Sequence, residues 1–196
     1  MSATYEQVQV DSRAQWRAWL TEHGADSPGV WLLTWKKGAG PHVAYGDIVD
    51  EALCFGWVDS QPRAVDEARS SRLLTPRRPG SSWSRVNKQR VQHLTEAGLM
   101  TAAGLAVIDA AKADGSWTAL DLVEDLVEPD DLHVALNAQP QARVNWDNFP
   151  RSTKRAILEW IGAAKTDTTH NRRVQQTVDD AAAGRRAHQW RQPKPP

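Results

Sequence analysis

The spacing of apolar residues predicts a helix, a strand and a second helix near the N-terminus. Apolar side chains recur at helical spacing over residues 13–23, form an almost unbroken run over 30–35, and return to helical spacing over 45–55. The unbroken run is typical of a buried strand. Asp11 or Ser12 is placed to cap the first helix, because both side chains accept hydrogen bonds from free backbone N–H groups.

Two further strands are predicted directly after the second helix. Residues 57–66 and 70–75 are interpreted as antiparallel strands, and Glu67-Ala68 is a short connection between them. Together with the buried strand they predict a small antiparallel sheet of about three strands packed with helices.

The rest of the chain is predicted to be helical. Apolar spacing and turn residues place helices at about 83–97, 101–112, 129–139, 152–164 and 168–184. The expected fold class is therefore α+β and mostly helical, with a helical C-terminal module after the sheet.

The sequence pattern changes after Trp117, from a mixture of strand and helix signals to helix signals alone, and this change predicts a domain boundary. We expect an α+β domain over residues 1–120 and a helical C-terminal module over 121–190. The final segment, 191–196, is rich in proline and is predicted to be disordered.

Composition limits the function classes. The chain has 196 residues with 24 Lys+Arg and 24 Asp+Glu, so no general attraction to nucleic acid or to an anionic membrane is expected. The single cysteine, Cys54, cannot form an intramolecular disulfide and fits a reducing compartment. The N-terminus does not resemble a secretory signal, and no apolar stretch approaches the about 18 residues of a membrane span. A cytoplasmic location without membrane insertion is therefore predicted.

The neutral total hides local charge. Residues 61–90 carry eight Arg/Lys and two acids, whereas residues 121–131 carry six acids and no base. One interpretation is that such surfaces neutralise each other within the fold or between subunits. The other is that residues 61–90 receive an anionic ligand or partner.

The stretch from Phe55 to Asn87 is the strongest site candidate, because it combines aromatic, arginine, hydroxyl and turn residues. A serine at a helix N-terminus beside arginines is a typical anion site. In the alternative interpretation, Ser82 only caps a helix and the arginines pair with acids such as Asp59 or Asp66. The predicted ligand-binding residues are Trp57, Asp59, Arg77, Arg78, Ser82, Trp83, Ser84 and Asn87.

Other chemistry has little support in the sequence. The six histidines are scattered and form no pair at metal-ligand spacing, so neither a metal site nor a cofactor is expected. Phosphate-loop, dinucleotide-binding and nucleophile-elbow motifs are missing from the sequence. Cys54 lies in an apolar helix and is expected to be a buried, inert thiol. Of the ten tryptophans, most are predicted to be core residues, and Trp57 and Trp83 are the candidates for a pocket wall.

Several segments resemble the bacterial YdeI/OmpD-associated family. The resemblance runs from about residue 12 to 186 and is carried by residues 51–60, 75–87, 98–104 and the region 155–174. It implies an α+β bacterial protein of stress or envelope-resistance type, linked by the family's name to bacteriocin protection and to a porin. It implies no catalytic residue. The family tends to read Thr-Arg-x-Arg-Arg-Ile where this chain has His170 in place of the first arginine.

Two functions remain open at this point. The first is a cytoplasmic protection or binding protein that holds a small anionic or aromatic ligand, or a protein partner segment, around Trp57, Arg77, Arg78, Trp83 and Asn87. The second is a small enzyme of unknown reaction, with Asp59 as acid or base and Arg77 as electrostatic stabiliser. An open pocket that joins Asp59 to Arg77 and Ser84 favours the enzyme. A fully paired Asp59 together with a fully buried Trp83 favours a structural role and weakens both site proposals. The oligomeric state is not predicted.

Overall fold

The computed structural model describes residues 5–189 and separates the chain into two units, Met1–Ala119 and Leu120–Pro196. The segment predicted to be a disordered tail, residues 191–196, lies outside the described residues.

The first unit contains a four-stranded sheet. Its strands are β1 (Glu6–Gln9), β2 (Val30–Trp35), β3 (Trp57–Ala64) and β4 (Arg69–Pro76), in the order β1-β2-β4-β3. The β1 strand runs parallel to β2, and the other neighbours are antiparallel. The predicted class is confirmed, but the sheet is mixed and has one more strand than expected. The sequence analysis missed β1 because this short strand has a single apolar residue, Val8.

Four helices complete the first unit, and they create two apolar clusters. They are α1 (Arg13–His23), α2 (Tyr45–Cys54), α3 (Arg85–Glu96) and α4 (Ala102–Ala113). One cluster joins a face of the sheet to α1 and α2. The other joins α2 to α3 and α4, and it contains Trp83. Helix α2 therefore lies between the two clusters and contributes to both.

The second unit is helical in its described part. Its helices are α5 (Asp121–Glu124), α6 (Asp130–Asn137), α7 (Pro140–Asp147), α8 (Arg151–Gly162) and α9 (Asp167–Ala182). Their buried faces form one apolar cluster around Trp146. The sequence analysis missed α5 and α7. Helix α7 begins with a proline at its first position, where the missing N–H is tolerated.

The capping residues correct three predicted helix starts. Helix α3 begins at Arg85 rather than at Trp83, because Ser84 is the N-cap and its Oγ accepts a hydrogen bond from the backbone N–H of Asn87 at 3.3 Å. Helix α9 starts slightly earlier than predicted because Thr166 caps it in the same way. Helix α8 starts at Arg151, directly after Pro150.

Within residues 5–189 no helix has the length and apolar character needed to cross a membrane. The same residues contain no group of three or more His, Cys, Asp or Glu side chains placed to hold a metal ion.

Candidate functional site

A small cavity lies where the loop after β4 meets the C-terminal half of α4. Its volume is about 60 Å³. The loop contributes one wall, α4 contributes the opposite wall, and the turn after α4 closes the side. The lining residues are Arg77, Arg78, Pro79, Gly80, Ser81, Trp83, Val107, Ala110, Ala111, Asp114 and Ser116.

Arg77 is the buried cation of this cavity. It follows β4 directly, and its backbone N–H donates to the carbonyl of Gly56 at 3.0 Å, which fixes the direction of the chain. Only 9% of the residue is exposed. The guanidinium carbon lies 3.7 Å from the centroid of the Trp83 ring, a close cation–π contact. The charged group is thus held against an aromatic wall instead of extending into water.

The guanidinium of Arg77 has unused donors. Its Nη2 donates to the carbonyl of Ser82, whereas Nε and Nη1 are buried without a hydrogen-bond partner. No carboxylate pairs with Arg77 among the residues that the structure describes. Burial lowers the pKa of Arg77 to about 10, because water no longer stabilises the charged form. At neutral pH the group still carries its charge, and that charge is uncompensated.

An ionised carboxylate stands at the rim of the same cavity. Asp114 follows the last residue of α4 and is exposed. Its two oxygens accept hydrogen bonds from the backbone N–H of Ser116 at 2.8 Å and of Gly80 at 3.1 Å. The hydrogen bonding from Ser116 lowers the pKa of Asp114, so the side chain is charged at neutral pH. It also ties the loop to the end of α4.

Trp83 forms an interior wall of the cavity. The residue is 1% exposed and belongs to the cluster of α2, α3 and α4. Its ring centroid lies 4.9 Å from that of Trp117. Because aromatic neighbours on a packed cluster have little freedom, Trp83 is a rigid surface on which the Arg77 guanidinium is positioned.

The structure places Trp57 and Asp59 elsewhere. Trp57 is 1% exposed, and its Nε1 donates to the carbonyl of Gly24 at 3.1 Å within the sheet cluster. Asp59 accepts hydrogen bonds from the Tyr45 hydroxyl at 2.9 Å and from Arg72 at 3.1 Å. Neither residue lines the cavity. The predicted set is therefore divided. Asp59 is paired through Oδ2 and Trp83 is 1% exposed, so both residues follow the structural alternative stated above, and the support for a binding site comes from Arg77.

The remaining predicted residues lie along the loop and the start of α3. Arg78 lines the cavity and is exposed. Ser82 contributes its backbone carbonyl, which accepts from Arg77, and the predicted capping role belongs to Ser84 instead. Asn87 is half-buried in the first turn of α3. The prediction that arginines pair with Asp59 or Asp66 describes Arg72 and Arg69, and not Arg77.

Sequence reasoning missed the α4 side of the cavity. Asp114 and Ser116 come more than 30 residues after Arg77 in the chain, and the dipeptide Asp114-Gly115 by itself indicates only a turn. An acidic residue directly after a helix is a poor match to the helix dipole, which favours cations there. That mismatch is the available sequence signal that Asp114 has another role.

A second polar network, also missed, organises the C-terminal unit around Glu128. The carboxylate accepts two hydrogen bonds from Arg143, at 2.8 Å each, one from Trp146 Nε1 at 2.7 Å, and it contacts His133 Nδ1 at 2.9 Å. Hydrogen bonding from Arg143 lowers the pKa of Glu128 to about 2. All acceptor positions of the carboxylate are in use, so the network stabilises the helices and offers no free group to a ligand.

Cys54 is buried, as expected, and its chemistry follows from that burial. The thiol lies at the end of α2, and desolvation raises its pKa. We expect thiol reagents at neutral pH to leave the folded protein unmodified and to label Cys54 once a denaturant has unfolded it. Mass spectrometry of samples alkylated with and without denaturant measures this, and rapid labelling of the folded chain would contradict a buried, inert thiol.

The comparison with protein families assigns the cavity to a recognised domain. Residues 8–107, slightly more than half of the chain, match the family model of a domain of unknown function (DUF8412). The chain belongs to this family. Arg77 and Trp83 lie inside the DUF8412 match, whereas Asp114 and Ser116 follow its last residue. No curated protein and no solved structure matches the chain.

Residues 125–184 match a second family model, described as bacteriocin-protection, YdeI or OmpD-associated. This match confirms the family resemblance, and it contains helices α6 to α9 and the Glu128 network. Segments 51–60, 75–87 and 98–104, on which the resemblance also rests, lie in the DUF8412 match instead, so the OmpD-associated match itself is limited to residues 125–184. His170, which replaces the arginine that the family tends to have, makes a polar contact in the structure. Its Nε2 lies 2.7 Å from Oδ2 of Asp131, and this contact joins the start of α9 to the start of α6.

Proposed function

We propose that this bacteriocin-protection-associated protein acts by binding a small anionic ligand at Arg77. One observation carries the proposal: a buried guanidinium with two unpartnered nitrogens lines a cavity of about 60 Å³. An uncompensated buried charge is strongly unfavourable, and buried donors without acceptors add to that cost. A bound anion supplies both the opposite charge and the acceptors that the protein itself does not provide.

The alternative, a small enzyme, has less support from the geometry. Its proposed acid or base, Asp59, is held by Arg72 and Tyr45 and lies outside the cavity lining. The carboxylate that does line the cavity, Asp114, already accepts two backbone N–H groups and is ionised. We therefore favour binding over catalysis. The cytoplasmic location remains a prediction from the sequence.

Replacing Arg77 with methionine tests the proposal. The folded wild-type protein should melt at a higher temperature in acetate, phosphate or sulfate than in an inert buffer of the same ionic strength, and Arg77→Met should lose this response. Its stability without anions should stay within about 1 kcal/mol of wild type. The lost hydrogen bond and cation–π contact, each about 1–2 kcal/mol, are offset by relief of the desolvated charge. Thermal unfolding across an anion series measures both effects.

Arg63→Met is the matched control. Arg63 is an exposed arginine of the same unit that stacks on Trp31 and does not line the cavity, so its loss changes the net charge equally. This variant should keep the anion response. An anion response that survives in Arg77→Met, or that disappears equally in both variants, would rule out Arg77 as the binding group.

A further inference from the structure

We propose that the ligand of the Arg77 cavity is a small monocarboxylate with a short apolar stem, and not a phosphate or a sulfate. This inference rests on the proposed function and names the chemical class of its ligand. Charge and lining lead to it independently, and the size of the cavity limits the part of the ligand that is buried.

The volume of the cavity limits the ligand to a few heavy atoms. A cavity of about 60 Å³ has room for a small group only, on the scale of a few heavy atoms. A larger molecule has to leave most of its atoms outside. The end of the ligand that reaches Arg77 must therefore be small.

The charge balance favours a monoanion. Arg77 supplies one buried positive charge, and no other cation of the lining is buried, since Arg78 is exposed. A carboxylate neutralises this single charge. A sulfate, or a phosphate in its doubly charged form, leaves one negative charge uncompensated in a desolvated site, and the desolvation penalty of an ion rises steeply with its charge. The cavity therefore discriminates by charge.

Asp114 adds to this discrimination. Its carboxylate is ionised and stands at the rim, held there by Gly80 and Ser116. Two like charges repel each other, and a dianion feels twice the repulsion that a monoanion feels at the same distance. Asp114 thus disfavours multiply charged ligands more than it disfavours a carboxylate, and it opposes the attraction that the exposed Arg78 exerts on them.

Apolar side chains line the space around the charged group. They come from the loop and from α4, and apart from the indole N–H of Trp83 their side chains offer no hydrogen-bonding group. A hydrocarbon stem attached to the carboxylate gains contact and burial against this wall, whereas a sulfate has no apolar part to place there. These apolar lining residues are Pro79, Trp83, Val107, Ala110 and Ala111.

Titration of the full chain with four anions tests the inference. Acetate, propionate, sulfate and phosphate are compared at one ionic strength, with the Nε–H resonance of Arg77 as the readout and Arg77→Met to assign it. We expect propionate to bind at least about tenfold more tightly than sulfate, a difference of about 1.4 kcal/mol. Propionate should also bind more tightly than acetate, because its longer stem buries more apolar surface.

The outcomes separate this inference from the proposed function. If sulfate or phosphate binds as tightly as propionate, the carboxylate class is wrong while anion binding at Arg77 stands. If no anion shifts the Arg77 resonance, both proposals are wrong.

Asp114→Asn tests the charge argument. Asparagine keeps one oxygen, which can accept from the backbone N–H of Ser116, but it loses the acceptor of the Gly80 N–H and removes the rim charge. Sulfate binding should therefore strengthen several-fold, and the ratio of propionate affinity to sulfate affinity should fall. Asp109→Asn is the matched control, because Asp109 is an exposed acid on the same helix that does not line the cavity. If the ratio of propionate affinity to sulfate affinity is the same in wild type and in Asp114→Asn, the role assigned to the rim carboxylate is wrong.

Discussion

Replacing Glu128 with glutamine is expected to lower the free energy of unfolding of the C-terminal unit by about 3 kcal/mol, because it breaks a largely buried ion pair. The carboxylate joins Arg143, Trp146 and His133, which lie on two different helices. A glutamine side chain presents one oxygen and one NH₂ group, and the NH₂ group faces donors that have no acceptor left. Chemical denaturation with hydrogen exchange of the α7 amides as the probe measures the loss in this unit.

The same carboxylate should give the unit an acid dependence. The pKa of Glu128 is about 2 in the folded chain against an ordinary value of 4.5, so the folded state favours the charged form. The resulting stabilisation, about 3 kcal/mol, is fully present above pH 4.5 and is lost as the pH falls towards 2. The Glu128→Gln variant lacks this carboxylate and should lose less stability over the same pH interval than wild type does.

Glu159→Gln is the control for both measurements. Glu159 pairs with Arg155 one turn away on α8 and its side chain is 45% exposed, so its loss should change stability by less than about 0.5 kcal/mol. If Glu128→Gln lowers the free energy of unfolding by no more than Glu159→Gln does, the network around Glu128 does not stabilise the unit.

The elements that were predicted correctly are those whose local signals are strong. Helix α1 has a capping Ser12 and a clear apolar face, and β2 is an almost continuous apolar run. In contrast, β1 has one half-buried apolar residue and is recognised only by its hydrogen bonds to β2. Local periodicity does not report such pairing, because the partner strand supplies the stabilisation.

The residues of the candidate site also separate into those that the sequence predicts and those that only the packing reveals. Arg77 and Trp83 are six residues apart on one loop, so the sequence alone places them together. Asp114 reaches the site only because α4 packs beside the loop, and this tertiary contact leaves no local signature. The burial of Trp57 was equally invisible, since a tryptophan on a strand can face either a pocket or the core, and only the packing of Trp16 and Trp19 against it decides.

Packing also explains why α4 tolerates no side chain at Gly104. A Cβ atom at this position would lie 2.2 Å from the carbonyl oxygen of Cys54 and 2.8 Å from its carbon. The contact is with backbone, which cannot rotate away as a side chain can. Thr101 reinforces the same junction, because its hydroxyl donates to the Cys54 carbonyl at 2.6 Å. The start of α4 is therefore pressed against the end of α2.

Gly104→Ala is expected to lower the free energy of unfolding of the N-terminal unit by about 3 kcal/mol, since α4 must move outward to relieve the overlap. Helix α4 also supplies Val107, Ala110 and Ala111 to the cavity, so the anion response of the folded variant should weaken as well. Denaturant unfolding followed by tryptophan fluorescence measures the first effect, and anion titration of the folded variant measures the second.

Gly162→Ala is the matched control, and its expected effect on the free energy of unfolding has the opposite sign. Gly162 is the last residue of α8, and a Cβ atom there meets nothing within 4 Å. Alanine restricts the unfolded chain and favours the helix, so stability should stay the same or rise by up to about 1 kcal/mol. Two identical substitutions then differ only in the space around the added methyl group. A Gly104→Ala protein as stable as Gly162→Ala would show that α4 does not press against Cys54, and the wall that α4 gives to the Arg77 cavity would no longer be fixed by that contact.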